Sequence, residues 1–297
     1  MILSFLGAMG CVGASGIEVK EKDTRIVLDY GTKPREIPPK FPLPVEKPKA
    51  ILLSHSHLDH SGAIPILVKN YSTPIYAINA TKELTELLLE DSIKVSREEG
   101  YELPFSSFDV KNTIKSFVNV SYNKPFKIGE LKITYFDAGH IPGSAMIFVE
   151  SENTNVLYTG DFNMIDTRLL GKCEQDLPRV ENLVIESTYY DRNHPERIGE
   201  EKELIRMIDE TISDNQPTII SAFAVGRAQE IMLILYKHGI NYPVYLDGMA
   251  KKATTIITKY KNLLRDENDW ENALDFIDFL EPRERKKVIK HACVIIT

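Results

Sequence analysis

The chain has 297 residues, 43% hydrophobic and 27% charged, with a formal net charge of −7, which is material for about two domains with a sizeable core. That acidic balance argues against a wholly basic phosphate-binding surface, and no apolar run reaches the roughly 18 residues that a membrane span needs. Three scattered cysteines, Cys11, Cys173 and Cys293, exclude a disulfide framework and fit a reducing, cytoplasmic setting.

The N-terminus lacks the basic region of a signal peptide, and residues 1–7 read as a first strand. Gly7, Gly10, Gly13 and Gly16 mimic a dinucleotide fingerprint. Residues 17–20 alternate like a second strand, however, so a glycine-rich hairpin is expected there in place of a cofactor loop. Residues 26–31 form an apolar strand that ends in Asp29, Tyr30 and Gly31, and the proline-rich residues 33–48 read as a long surface loop. The continuous apolar run 50–53 predicts a strand covered on both faces.

The densest chemistry in the chain comes directly after that strand. Ser54-His55-Ser56-His57-Leu58-Asp59-His60-Ser61-Gly62 carries four potential metal ligands, including three of the seven histidines. In an extended segment His55 and His57 point the same way, while Asp59 and His60 come after the chain turns and would face a second metal. Imidazole with carboxylate suits a divalent first-row ion, most often zinc. A histidine-rich solvated turn is the plain alternative.

Residues 62–68 and 81–99 read as helices. Residues 131–136 alternate with period two and stop before Asp137 and His140; residues 155–161 form a strand ending in Gly160-Asp161; residues 183–188 repeat that arrangement with Glu186. From residue 199 the pattern changes to helix 200–213, strand 218–220, helix 227–238 and strand 244–246, the βαβ rhythm of a parallel sheet. Residues 292–297 read as a further core strand. Basic runs at 251–265 and 283–290 are expected to be solvated helix faces.

Asp29, His55, His57, Asp59, His60, His140, Asp161 and Glu186 thus all fall at or just beyond strand ends. Such ends share a rim in an α/β sandwich, so these residues can converge although they are distant in sequence. Singly, His140 or Asp161 would be a turn residue. As a set they point to a two-metal centre, which can hold a bridging hydroxide as nucleophile and steady both oxygens of a phosphoryl transfer.

The loop 54–65, Leu28-Asp29-Tyr30-Gly31, the isolated His140 and Thr159-Gly160-Asp161-Phe162 resemble, in order, the motifs of the metallo-β-lactamase superfamily. Glu186-Ser187-Thr188-Tyr189 and Ala222-Phe223-Ala224-Val225-Gly226-Arg227-Ala228-Gln229-Glu230 are similar to motifs of its β-CASP branch, which processes nucleic acids. The resemblance implies an αββα sandwich (residues 1–190) with an inserted βαβ β-CASP domain (residues 191–297). It implies a zinc-dependent hydrolase of RNA phosphodiester bonds, similar to the mRNA 3′-end-processing ribonucleases and the cleavage and polyadenylation endonuclease subunit.

By the same resemblance His55, His57 and His140 hold one of two zinc ions, Asp59 and His60 hold the other, and Asp161 bridges both. Asp29, Asp59 and Glu186 form its acidic catalytic set, with Asp29 orienting a ligand and Glu186 in the machinery that protonates the leaving oxygen. The plain alternative for Glu186 is an N-terminal cap for a following turn. Arg227, following Gly226 at a helix start, would hold a phosphate or serve in an ion pair.

The chain departs from the branch in lacking the histidine that completes the second zinc site. His194, His238 and His291 lie outside the expected motif, and Tyr190 and Ser221 stand where Gly and Pro are frequent. A C-terminally truncated chain is therefore expected, and whether it cuts by itself stays open. Single-stranded RNA is the expected partner, with a homodimer or processing complex left open and no membrane. A DNA nuclease of the same branch and a non-catalytic RNA-binding or scaffold subunit are the alternatives, the intact histidine loop counting against the second.

Overall fold

The alternating and continuous apolar runs of the first half become strands that stack into two sheets. In the computed structural model, which describes residues 1–34 and 36–297, β1 (Ile2–Phe5), β2 (Gly16–Glu21) and β3 (Thr24–Tyr30) form an antiparallel meander. The glycine-rich stretch joins β1 to β2 as a hairpin connection. β4 (Ala50–Leu52), α1 (Leu58–Ser61), α2 (Ile64–Tyr71), β5 (Ile75–Ile78), α3 (Asn79–Glu99), α4 (Ser107–Lys115) and β6 (Phe117–Val120) come next, with β3 to β6 running parallel. The first sheet has the order β1-β2-β3-β4-β5-β6.

β7 (Phe126–Ile128), β8 (Leu131–Asp137), β9 (Ala145–Glu150), β10 (Asn155–Tyr158) and β11 (Asn182–Val184) build the second sheet, antiparallel except that β11 lies parallel to β10. Side chains between the sheets tie them together. The Tyr135 hydroxyl donates to the Tyr76 carbonyl at 2.8 Å, and the Tyr76 and Phe126 rings stack with centroids 5.1 Å apart. On the far side of the first sheet, Val27, Ile51, Leu53 and Ile75 pack with Ile64, Leu67 and Val68 of α2. Ile51, Leu52 and Leu53 are fully buried; at about 1.5–3 kcal/mol for each large aliphatic side chain, this makes β4 a rigid base for whatever leaves its end.

The structure differs from the sequence expectations in places with clear causes. The 33–48 segment is not purely surface: Pro42 and Val45 are buried, Val45 joins the core, and Lys33 bridges to Lys40. Arg35, within that segment, lies outside the described residues. α4 is not among the expected helices although Ser106 and Asp109 form a capping box, because aspartate takes the place usually held by glutamate or glutamine. The outer face of the second sheet is covered by Phe162, Leu177 and Val180 from irregular chain packed on Phe136, Met146, Phe148 and Leu157.

The described residues divide into two compact units, residues 1–164 with 172–186, and residues 165–171 with 187–297. The second unit holds α5 (Arg197–Ser213), β12 (Thr218–Ile220), α6 (Arg227–Lys237), β13 (Val244–Leu246), α7 (Met249–Thr258), α8 (Glu267–Phe276), β14 (Asp278–Phe279), α9 (Arg285–Val288) and β15 (Val294–Ile296). Its parallel sheet has the order β12-β15-β13-β14, and β15, in its middle, is buried throughout. A buried ionic cluster anchors residues 165–171 within this unit. Glu201 takes a forked contact from Arg168 (2.7 and 3.1 Å) and one from His238 (3.2 Å), while Glu230 accepts from Arg197 and from the backbone N–H groups of Arg168 (2.9 Å) and Leu169 (2.7 Å).

Candidate metal centre

Five segments of the first unit meet at the ends of β3, β4, β8, β10 and β11. The chain leaving β4 runs through Ser54, His55 and Ser56 and then coils into the single turn α1, which carries Asp59 and His60. Residues 29–32, leaving β3, lie along that turn: Thr32 N–H donates to Leu58 (2.8 Å), Ala63 N–H to Tyr30 (2.9 Å) and Ser15 N–H to Asp59 (3.0 Å). Gly31 is required here, because a Cβ at that position would overlap the carbonyl of Asp59.

The loop after β8 is shaped by its own polar groups. The Ser144 hydroxyl accepts from His140 N–H (3.1 Å) and Ile141 N–H (3.2 Å), Asp137 accepts from Gly139 N–H (2.8 Å), and Ala145 N–H ties the loop to the Ser54 carbonyl (2.8 Å). After β10 the chain turns at Gly160, whose φ is +52° and where a Cβ would stand 2.8 Å from that of Ser54. Glycine alone allows both, and the turn delivers Asp161.

His55, His57, His140 and Asp161 each offer a ligand atom, all within 4.8 Å of one another; His55, Asp59 and His60 do likewise. Asp161 straddles the two groups. Its Oδ1 is 3.3 Å from His60 Nε2, and its Oδ2 is 3.6 Å from His140 Nε2 and 4.0 Å from His55 Nε2. His140 Nε2 and His57 Nδ1 face each other at 3.3 Å, and His60 Nε2 lies 3.8 Å from Asp59 Oδ2.

The electrostatics arise from this crowding. Burial, then the charge on His60, pushes His55 well below the ordinary imidazole range. For His60, burial opposes the charge, but Asp59, Asp29 and Asp161 outweigh it and hold the pKa well above normal. Burial likewise opposes the charge on Asp161, and His60, His55 and His140 outweigh it and keep the carboxyl far below the usual carboxylate range.

A divalent ion fits this donor set. His55 Nε2 is buried and has no hydrogen-bond partner, an arrangement that costs about 1–3 kcal/mol unless something occupies the space before it. Imidazole nitrogens and carboxylate oxygens converging from rigid strand ends are what zinc takes.

Asp29 is wholly buried at the end of β3 with φ +54°, a left-handed conformation rare outside glycine. Its Oδ1 accepts from Ser54 N–H, and its Oδ2 accepts from the Ser54 hydroxyl, His60 Nδ1 and the Tyr158 hydroxyl, each at 2.7 Å. Ser54 and Tyr158 are not singled out by sequence reasoning. The signal for them is a serine directly before the first ligand and a tyrosine at the inner end of an apolar strand.

Glu186 reaches the same rim through strand pairing: Tyr158 lies opposite Val184, and Glu186 N–H donates to the Thr159 hydroxyl at 3.3 Å. Arg227 is exposed as the first residue of α6 in the second unit, after Gly226, whose N–H is capped by Gln229 Oε1 at 2.7 Å. Among the described residues, no helix is long and apolar enough to cross a membrane.

Comparison with known proteins gives a consistent result. The sequence profile described as "Metallo-beta-lactamase superfamily" matches residues 10–216. The chain is 37% identical over 300 residues to "Probable RNase MJ4" of Methanocaldococcus jannaschii, covering 98% of this chain and 70% of that protein. It is 35% identical to "RNase aCSPSF2" of Saccharolobus solfataricus (99% of this chain, 60% of that one). With "Transcription termination factor FttA" of M. jannaschii it shares 39% identity over 89% of this chain and 44% of that one. The chain therefore spans from under half to about two thirds of the length of these relatives. A solved structure, "Crystal Structure of a Protein of Unknown Function from Enterococcus faecalis V583", superposes with a TM-score of 0.59 at 16% identity, over 99% of this chain and 76% of that one; at that identity the likeness speaks for the fold alone.

Proposed function

The chain belongs to the metallo-β-lactamase superfamily, in its β-CASP branch, and on that premise we propose that it is a zinc-dependent ribonuclease hydrolysing phosphodiester bonds of single-stranded RNA. The observation that carries the reading is Asp161 set between two ligand groups beside the orphaned, buried His55 Nε2. Relatives named as RNases, matched over nearly the whole of this chain, favour RNA over DNA.

His55, His57 and His140 would hold one zinc ion and Asp59 and His60 the other, with Asp161 common to both. When bound, the metal pair supplies a Lewis acid for the phosphoryl oxygens and lowers the pKa of a water to near neutrality. The chain's own residues do the rest. Asp29 fixes the His60 ring through Nδ1 so that Nε2 points inward, and the turn at Gly160 holds Asp161 in place. Glu186, whose N–H meets the Thr159 hydroxyl on the rim, is the candidate for carrying a proton to the leaving oxygen. Arg227 is a candidate phosphate contact through a charge-assisted hydrogen bond. The free cysteines fit a reducing, cytoplasmic setting.

The test is cleavage of an end-labelled single-stranded RNA, with a DNA of the same sequence alongside, by the wild-type chain and by Asp161→Asn. RNA cutting that falls at least about 10³-fold in the variant, equivalent to about 4 kcal/mol of barrier, and that stops with chelator is the expected outcome. Preferential cutting of DNA would overturn the substrate. RNA bound but uncut by wild type with metal present would make this chain a binding subunit.

A further inference from the structure

One buried carboxylate reaches both ligand groups. Asp29 touches His60 directly, but it also touches Ser54, and Ser54 touches His55. The Ser54 hydroxyl has a single hydrogen, which it donates to Asp29 Oδ2 at 2.7 Å. The contact between Ser54 Oγ and His55 Nδ1, at 3.1 Å, must therefore have the ring nitrogen donating. That leaves His55 with its lone pair on Nε2, the orphaned atom that faces Asp161. All the participating groups are buried: Asp29 and His55 are 0% exposed and Ser54 is 1% exposed. Water is thus not at hand to replace a lost partner.

Two further features keep the hydroxyl where it is. Ser54 N–H bonds Asp29 Oδ1 at 2.7 Å, which clamps the backbone of Ser54 to the same carboxylate. The missing Cβ of Gly160 leaves the space that the Ser54 side chain fills.

We propose that Ser54 is a positioning residue that relays Asp29 to His55, so that a single carboxylate sets the ring tautomers of a histidine in each of the two ligand groups. The inference rests on the two-metal reading of the site and adds a residue and a coupling to it. Asp29 acts on His60 without an intermediary and on His55 only through the Ser54 hydroxyl. Tyr158, the third donor to Asp29 Oδ2, touches neither His55 nor its relay and serves as a control for simple loss of a buried hydrogen bond.

The experiment is a Co²⁺ titration of metal-free protein followed by visible absorbance, in backgrounds that isolate each group. Asp59→Ala leaves the site assigned to His55, His57 and His140, and His140→Ala leaves the site assigned to Asp59 and His60. Loss of an outer partner of a ligating histidine weakens metal binding by roughly 10–100-fold. Ser54→Ala is therefore expected to weaken Co²⁺ binding at least about tenfold in the Asp59→Ala background and by no more than about twofold in the His140→Ala background. Asp29→Asn should weaken both. Tyr158→Phe should leave the affinity in the Asp59→Ala background unchanged. Thermal melting of each metal-free variant separates an affinity loss from a folding defect. Equal affinities for Ser54→Ala and its parent in the Asp59→Ala background would overturn the relay while leaving the metal centre standing, as would equal losses in both backgrounds. No Co²⁺ uptake by the wild-type protein would overturn the metal centre and the relay with it.

Discussion

Each unit of this chain buries a cluster of histidine and carboxylate, and the two clusters balance their charge differently. In the second unit Glu201 and Glu230 are met by Arg168, Arg197, His238 and two backbone N–H groups. In the first, among the described residues, Asp29, Asp59 and Asp161 form ion pairs only with imidazoles, and one ring nitrogen is left without a hydrogen bond. A buried carboxylate needs positive charge and donors around it. Where arginines supply them from within the chain, the charges are matched and the cluster is structural, although Arg197 Nε has no hydrogen-bond partner and meets Glu201 only as an ion pair at 3.5 Å. Where imidazoles crowd together with lone pairs converging, the chain is short of positive charge at one point, and that is the signature of an ion to be bound.

The contrast can be broken first at the metal centre. His55 stands with His57, His140 and Asp161 as a ligand of one ion, so His55→Ala is expected to remove about one of the two bound ions and to lower RNA cleavage at least about 10³-fold. Metal content and cleavage rate, measured on one preparation, check this. Metal retained at the wild-type level would mean that His55 is not a ligand.

The matching change in the second unit should do the reverse. Glu230→Gln leaves Arg197 and the two backbone donors facing a neutral amide, and removing one partner of a buried pair typically destabilises by about 3–5 kcal/mol. Urea unfolding should show this loss while metal per folded chain stays at the wild-type value.

A smaller effect is expected from acid. Burial alone would raise the pKa of Glu201, but Arg168 and His238 outweigh it and lower the value below 4.5, its ordinary value. The stability Glu201 contributes is then complete above about that pH and is lost as pH falls through the folded value. The urea midpoint followed from pH 6 to pH 3.5 should drop less in Glu201→Gln than in wild type. Parallel curves would show that Glu201 carries none of the acid sensitivity.

The smallest change concerns Arg227. If its exposed guanidinium meets a phosphate, Arg227→Ala should weaken RNA binding and reduce the slope of log affinity against log salt by about one. An unchanged slope would assign Arg227 to another role.

The strand-end chemistry is legible in the sequence because apolar runs announce strands and the ligands come directly after them, as with 50–53 and His55 or 155–158 and Asp161. Helices with clear spacing, such as α3 and α6, are legible for the same reason. β9 and β5 are not among the expected strands, although the continuous apolar run of β9 is of the same kind as 50–53. The turn α1 lies inside what reads as a loop, since one helical turn has no periodicity to detect. Within the site, the metal-facing residues are visible as residue types. The contacts of Ser54 and Tyr158 with Asp29 are not, because they join residues 25 and 129 positions apart, and only the folded sheets bring those together.

The most direct test of the metal centre is elemental analysis of the purified, dialysed protein, run beside His55→Ala. About two divalent ions, chiefly zinc, are expected per wild-type chain and about one in the variant. A wild-type chain that carries no divalent metal, and takes up none when zinc is supplied, would contradict the two-metal centre.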